Sequence, residues 1–301
     1  MNLLKKYYQN RRVLVTGGAG FIGSHIVEKL VASEAQVTVL DNFSTGKVEN
    51  LRSVLHKIHI IAGDITDIPT CERATLKKTH VFHLAAMVSV PDSIINPDLC
   101  FRINTSGTNN ILAAAARNSV DHLVFSSSSA VYGKQAGINS EATVTSPQSP
   151  YGESKLEGEH LCKEHSQNSG LHTTILRYFN VHGKRQSARG GYAAVVAKFM
   201  DNLRNKAPLT IFGNGKQTRD FVHVSEIAHA NLLLATLPHK AEIFNIGSGE
   251  SITLLDLVER LEKETGHAHT KILFEPARAG DIVHSAADCS KYQSIKTQHE
   301  E

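Results

Sequence analysis

Through the first 180 residues, short apolar runs alternate with longer segments whose apolar positions recur every three or four residues. The run at 11–16 carries Val13, Leu14 and Val15 in succession and stops at Gly17. Segment 24–33 then sets Ile26, Val27, Leu30 and Val31 on one helical face, and 36–41 is apolar again. The alternation continues, with strands predicted at 57–62, 79–84, 121–125 and 171–178 and helices at 104–118 and 151–168. Consecutive apolar positions suit strands covered on both faces. Strands alternating with helices predict an α/β fold built on a parallel sheet.

After Asn180 the rhythm breaks. A basic, glycine-containing loop at 185–191 precedes helices at 192–205, 224–237 and 254–265, the last ended by Gly266. Strands are predicted at 209–212, 243–246 and 271–274, with a turn at Gly213-Asn214-Gly215. The expected architecture is a Rossmann-like, doubly wound parallel sheet over 1–179, completed by segments around 222–250. Residues 180–301 form mainly a smaller mixed α/β unit. The polar stretch after Tyr292 is expected to fray.

Composition narrows the class. The chain has 301 residues and a formal net charge of +3, too small to argue for nucleic acid or a membrane surface. Cys71, Cys100, Cys162 and Cys289 are scattered without C-x-x-C spacing, which reads as reduced structural thiols in a cytoplasmic protein. The segment 1–12 lacks the apolar core of a signal peptide, and no apolar stretch reaches the length of a membrane span. His56 with His59, and His80 with His83, invite a metal reading, but no H-E-x-x-H or Cys/His ligand pattern accompanies the 17 histidines. No metal is expected.

The candidate chemistry begins at the first turn. Gly17, Gly20 and Gly23 stand between a strand and a helix at G-x-x-G-x-x-G spacing. A tight turn and close approach of backbone to a pyrophosphate both exclude a Cβ, and the helix N-terminus favours an anion. Asp41, 18 residues past Gly23, ends the second strand, where a carboxylate accepts bonds from a ribose diol and repels a 2′-phosphate. That favours NAD over NADP. Asp64 follows the third strand and would lie near the adenine.

Tyr151 and Lys155 sit four residues apart at the start of a predicted helix, so they share a face. A free phenol is a poor base at neutral pH. A fixed ammonium beside it favours the phenolate and is expected to bring it into a useful range.

Val15-Thr16-Gly17-Gly18-Ala19-Gly20-Phe21-Ile22-Gly23, Asp41-Asn42, Gly63-Asp64-Ile65, His83-Leu84-Ala85-Ala86, Asn104, Ser126-Ser127-Ser128, Tyr151-Gly152-Glu153-Ser154-Lys155 and Arg177-Tyr178-Phe179-Asn180 occur in that order. Together they resemble the extended short-chain dehydrogenase/reductases, specifically the nucleotide-sugar 4-epimerases of the NAD-dependent epimerase/dehydratase family, over roughly residues 12–292. The resemblance implies NAD held throughout turnover. Its contacts would come from Gly17, Gly20, Phe21, Ile22, Gly23, Asp41, Asn42, Ser44, Thr45, Gly46, Asp64, Ile65, Leu84, Ala85, Ala86, Asn104, Tyr151, Lys155 and Tyr178. It implies a catalytic hydroxyl four before Tyr132, which is Ser128; Ser126, Ser127 and Ser129 stay open as alternatives. Related dehydratases carry an Asp-Glu pair after that hydroxyl, and here Ser129 and Ala130 stand there. Elimination of water is disfavoured.

The resemblance extends to the substrate side. It implies that Asn180, Arg219 and Arg278 contact the diphosphate of a UDP-sugar, that Asp281 holds the uridine ribose, and that Ser285 lines the sugar pocket beside Ser128 and Tyr151. A small residue at 285 leaves room for an N-acetyl group, so UDP-GlcNAc and UDP-GalNAc are the expected pair. UDP-glucose is the alternative hexose. A UDP-sugar decarboxylase, a 4-keto reductase and a non-catalytic NAD(H)-sensing module are the competing readings, the last disfavoured because Tyr151 and Lys155 are both present. Relatives of this kind dimerise through the two helices at 104–118 and 151–168, so a homodimer is expected, and they continue past 287–291 into a closing helix.

Overall fold

A computed structural model describes residues 3–135, 137–188, 195–276 and 285–300. Seven parallel strands form its central sheet in the order Lys240–Ile246, His172–Tyr178, His122–Ser128, His80–His83, Arg12–Thr16, Gln36–Asp41, Ile58–Ala62. The chain winds outward from Arg12–Thr16 to one edge, then crosses back and winds to the other. Because successive side chains point to opposite faces, each strand feeds two cores. Val13, Val15, Val37, Val39, Phe82 and Leu176 pack beneath the helices Phe21–Ala32 and Val224–Leu234. Leu14, Leu40, Val81, Leu123, Phe125 and Ile175 pack beneath Ile68–Thr75, Gly107–Arg117 and Pro150–Ser169.

The chain after Asn180 divides between two places. Helix Val224–Leu234 and strand Lys240–Ile246 return to the central sheet, the strand pairing in parallel with His172–Tyr178. Val196, Phe199, Leu203, Leu209, Ile211, Leu257, Val258 and Leu261 form a separate core. It lies between the helices Val195–Arg204 and Leu254–Thr265 and the paired strands Leu209–Phe212 and Ile272–Glu275.

The structure corrects the reading of the C-terminal stretch. Ser290–Glu300 is a helix, docked by a fully buried Tyr292 whose hydroxyl donates to Glu226 Oε1 at 2.6 Å. Lys296 Nζ reaches the same carboxylate at 2.7 Å, and Lys291 Nζ donates to the Ile243 carbonyl at 2.8 Å. Its local sequence is polar enough to look frayed; a few distant partners fix it. The predicted helix 104–118 also differs, because Arg102–Ser106 is a π-helical turn and the α-helix proper is Gly107–Arg117. Such a turn re-aims side chains within an otherwise regular helix. Among the described residues, no helix is long and apolar enough to cross a membrane, and no group of three ligating side chains could hold a metal.

The amino-terminal ends of three neighbouring strands bring His80, His122 and His172 side by side in register. Burial pushes the His80 imidazole down to about 4 and His122 well below its ordinary value. His83, at the other end of its strand, is pushed down to about 3, again chiefly by burial. These rings are neutral in the native protein but take up protons in the unfolded chain below about pH 6.5. Their contribution to stability is therefore present above that pH and is lost as pH falls from about 6.5 towards 4. Each contributes up to about 1.4 kcal/mol per pH unit of slope in that window. Thermal unfolding across pH 7.5 to 4 should show a steadily falling Tm below 6.5, reduced in slope by His122→Gln. A flat profile would contradict neutral burial of these rings.

Candidate active site

The glycine turn closes over the carboxyl end of Arg12–Thr16, between strands whose connections leave in opposite directions. Open parallel sheets form a ligand crevice at such a switch point. Gly17 has φ +66° and donates its amide to the Leu40 carbonyl at 2.8 Å. A Cβ on Gly17 would lie 2.8 Å from the Ala85 nitrogen, and one on Gly23 would lie 2.2 Å from the Gly17 carbonyl oxygen. Gly20 precedes helix Phe21–Ala32 without a side-chain cap. The first helical amides, with Phe21 and Ile22 beside them, therefore point at the crevice with the positive end of the helix dipole.

Asp41 lies buried at the end of the adjacent strand and accepts from the Ala19 amide at 2.9 Å and the Phe43 amide at 2.9 Å. It braces the turn from below and keeps acceptor capacity on each oxygen. Gly46 passes close over it, since a Cβ there would sit 2.8 Å from Asp41 Oδ1. Asn42, Ser44 and Thr45 are exposed on this rim. Asn42 donates to Asp64 Oδ2 at 2.7 Å and accepts from the Ser44 hydroxyl at 2.7 Å. Partial burial works to raise the Asp64 carboxyl, but bonds from the Thr66 amide and hydroxyl and from Asn42 outweigh it and hold the group below the usual carboxylate range. Ile65 is buried beneath, against Gly107.

Leu84, Ala85 and Ala86 form the opposite lip. Thr16 Oγ1 accepts from the Leu84 and Ala85 amides, both at 3.2 Å, and meets His83 Nδ1 at 2.7 Å. His83 Nε2 lies 2.9 Å from the Thr108 hydroxyl, which donates to the Asn104 carbonyl at 2.5 Å. That chain requires a neutral ring with its proton on Nε2. Asn104 itself faces inward. Its amide accepts from Met87 N at 2.7 Å and donates to Met87 O at 2.9 Å and to Ser154 Oγ at 3.0 Å. Its side chain ties the 84–87 loop to helix Pro150–Ser169.

That helix starts at Ser149, whose hydroxyl accepts from the Gly152 amide at 3.1 Å, and ends at Gly170 in the left-handed conformation. Tyr151 and Lys155 project from its first turns towards the end of His122–Ser128. The serines there have different partners. Ser126 Oγ meets Tyr178 Oη at 3.0 Å, and Ser127 donates to Glu159 Oε1 at 2.6 Å. Ser128 accepts from the Ala130 amide at 3.1 Å and lies near enough to the Tyr151 phenol to favour its ionised form. The geometry thus separates three hydroxyls that are equivalent in sequence.

Lys155 is buried, donates to the Ser126 carbonyl at 2.9 Å and sits 6.0 Å from the Tyr151 ring centroid. Burial pushes its ammonium down to about 8. Burial also raises the Tyr151 phenol above its ordinary value, and Ser128 only partly offsets this. Lys155 is expected to lower the phenol with the positive ring of NAD assisting; in the protein by itself the ammonium is anchored to the Ser126 carbonyl and burial disfavours a lone phenolate.

Tyr178, another expected cofactor residue, has its hydroxyl 3.0 Å from Ser126 Oγ and accepts from Asn231 Nδ2 at 2.8 Å. Beneath Ser127, Glu159 and Arg177 form a buried two-pronged pair at 2.8 and 2.6 Å. Sequence reasoning assigned neither of these last two a role; a Glu eight residues after Tyr151 looks like any helix-face charge.

On the substrate side, Asn180 is exposed and donates to the Asp220 carbonyl at 2.8 Å, while Arg219 donates to the Thr218 carbonyl at 2.9 Å. Asp220, fully buried, is structural: it accepts from the Ser248 amide and hydroxyl, at 2.7 and 2.8 Å, and from the Gly249 amide at 3.0 Å. Ser285 opens the strand Ser285–Ala287, which pairs with Gly137–Asn139 and packs against the Thr218–Asp220 strand bearing Arg219. Arg278 and Asp281 lie outside the described residues.

The model of the NAD dependent epimerase/dehydratase family matches residues 13–247, and the chain belongs to that family. It is 40% identical over 287 residues, 94% of this chain and 92% of the other, to a putative UDP-glucose 4-epimerase of Methanocaldococcus jannaschii. The fold superimposes with a TM-score of 0.91 and 38% identity on a UDP-N-acetylglucosamine 4-epimerase from Methanobrevibacter ruminantium M1 in complex with UDP-N-acetylmuramic acid, covering 95% of this chain and 92% of that one. A UDP-glucose 4-epimerase of Thermus thermophilus in complex with NAD gives 0.87 and 37%, covering 95% and 93%. The cofactor is NAD, and the tight turn, in which a Cβ at 17 or 23 would strike backbone, sets the uncapped helix N-terminus where it suits the pyrophosphate. Gly23→Ala should therefore weaken NAD binding by at least about tenfold, because turn and helix cannot both keep their places. Titration of the variant by NADH fluorescence checks this, and unchanged affinity would remove the turn from the site.

Proposed function

From Tyr151 and Lys155 on one helix face beside Ser128 at the end of strand His122–Ser128, within a member of the NAD dependent epimerase/dehydratase family, we propose that the chain is a UDP-sugar 4-epimerase. Tyr151 accepts the proton of the sugar C4 hydroxyl, and Ser128 hydrogen-bonds the same oxygen and shares that proton. Burial holds the phenol high, and positive charge from Lys155 and from bound NAD would lower it. NAD, when bound, supplies a hydride acceptor and a cationic ring to this site. Lys155, fixed to the Ser126 carbonyl, orients the nicotinamide ribose and contributes charge. Asn180 and Arg219 hold the diphosphate while the 4-keto sugar turns over and the hydrogen returns from the other face. Arg278 and Asp281 belong to the same reading. No net redox results.

Ser285 supports UDP-GlcNAc and UDP-GalNAc as the pair, because its hydroxymethyl leaves space that a bulky ring would fill. The similarity to an N-acetylglucosamine 4-epimerase points the same way. A decarboxylase or 4-keto reductase would share the cofactor half; the stretch Ser128-Ser129-Ala130, lacking an acid pair, argues only against dehydration. We also propose a homodimer through Gly107–Arg117 and Pro150–Ser169, neighbouring helices bridged by His165 Nε2 and Asn109 Oδ1 at 3.0 Å. Sedimentation giving only monomer at assay concentration would remove this part.

The decisive experiment incubates the protein separately with UDP-GlcNAc and UDP-glucose and resolves the C4 epimers. Epimerisation of UDP-GlcNAc without net NADH is expected, and conversion of UDP-glucose alone would sink the Ser285 argument. Tyr151→Phe should keep NAD and lose epimerisation by about 10²–10⁴-fold. Full activity in that variant would end the proposal.

A further inference from the structure

The segment following Asn180 touches two walls of the crevice. Its short strand Val181–His182 pairs in parallel with Val222–His223, which follows closely on Arg219 and Asp220. Gly183 then packs so closely on the start of helix Val224–Leu234 that a Cβ would lie 2.6 Å from Val224 Cγ1. Two residues on, the chain meets the cofactor helix Phe21–Ala32. Arg185 Nη1 donates to Ser24 Oγ at 3.1 Å, and Nη2 donates to Glu28 Oε1 at 2.5 Å. His25 Nε2 lies 3.0 Å from the Lys184 carbonyl, beside those two contacts.

This contact is built rather than incidental. Arg185 stands at φ +72°, a left-handed conformation that L residues avoid and that persists where surroundings over-determine it. Arg185 and Glu28 are only 24% and 29% exposed, so the pair is shielded more than a surface bridge. Partial burial works to raise Glu28, but hydrogen bonds from Arg185 and Ser53 hold it below the usual carboxylate range. Burial lowers His25, consistent with a neutral ring donating to Lys184. Ser24, His25 and Glu28 occupy the first two turns after the glycine cradle, on the helix whose leading amides face the pyrophosphate.

We propose that Arg185 is a positioning residue that clasps the substrate-side loop to the cofactor helix through Glu28 and Ser24, and that this clasp slows release of bound NAD. The two walls cannot separate around the dinucleotide until the guanidinium lets go. The inference rests on NAD lying in the glycine cradle, not on which sugar is turned over.

The test measures the dissociation rate of NADH from the loaded protein by fluorescence, without sugar nucleotide. Arg185→Met and Glu28→Gln should each speed release by about tenfold or more, with the double variant no faster than the faster single one. Arg185→Lys should recover part of the loss, since an ammonium still pairs with Glu28 but lacks the fork that also reaches Ser24. Ser24→Ala, which removes one prong and threatens the fold least, should give a smaller but measurable increase. The kcat of fully loaded enzyme should change far less than the release rate. Release within about twofold of wild type in folded Arg185→Met, or effects of the two single changes that simply multiply in the double variant, would overturn the clasp. A wrong sugar assignment would leave every one of these rates where it was.

Discussion

Backbone meets backbone at Gly17 and Gly23, with no room for a Cβ between them, and much of the site follows from that approach. It brings the N-terminus of Phe21–Ala32 against the end of Arg12–Thr16 and leaves an uncapped set of amides facing the crevice. Asp41 can then do two things at once: brace Ala19 and present a carboxylate to whatever lies above the turn. Thr16, one residue before Gly17, holds the 84–85 amides and a neutral His83. Both lips of the crevice are thus hung from the last residues of a single strand.

The other half of the site is arranged by buried polar commitments. Glu159, itself paired with Arg177, takes up Ser127; Tyr178, itself bonded to Asn231, takes up Ser126; and Asn104 takes up Ser154. Leaving any such group unpaired in a dry interior is costly, so these contacts are strongly specified. Ser128 is taken up by none of these and lies near enough to the Tyr151 phenol to favour its ionised form. The same dryness raises the phenol and lowers Lys155.

Arg185 extends this arrangement to the substrate side. Strand Val181–His182 begins beside Asn180, and the loop it leads into ends on the cofactor helix. A covalent path of a few residues therefore joins the Asp220 carbonyl to the cofactor helix.

Local patterns were enough for the sheet, the glycine turn, Asp41 and the Tyr151–Lys155 face, because each depends on spacing within one element: consecutive apolar positions, absent Cβ atoms, an i,i+4 pair. Partnerships across the fold were not legible. Four adjacent serines carry no local mark of which one faces the phenol; that depends on Glu159 and Tyr178, brought in from a helix and a strand some thirty and fifty residues away. The tie that Asn104 makes between loop and helix was not visible either, and Tyr292 looked like the start of a frayed tail until Glu226 and a pocket for its ring were in place. Burial set the charge states in the same way, since no residue type announces how much water its neighbours will exclude.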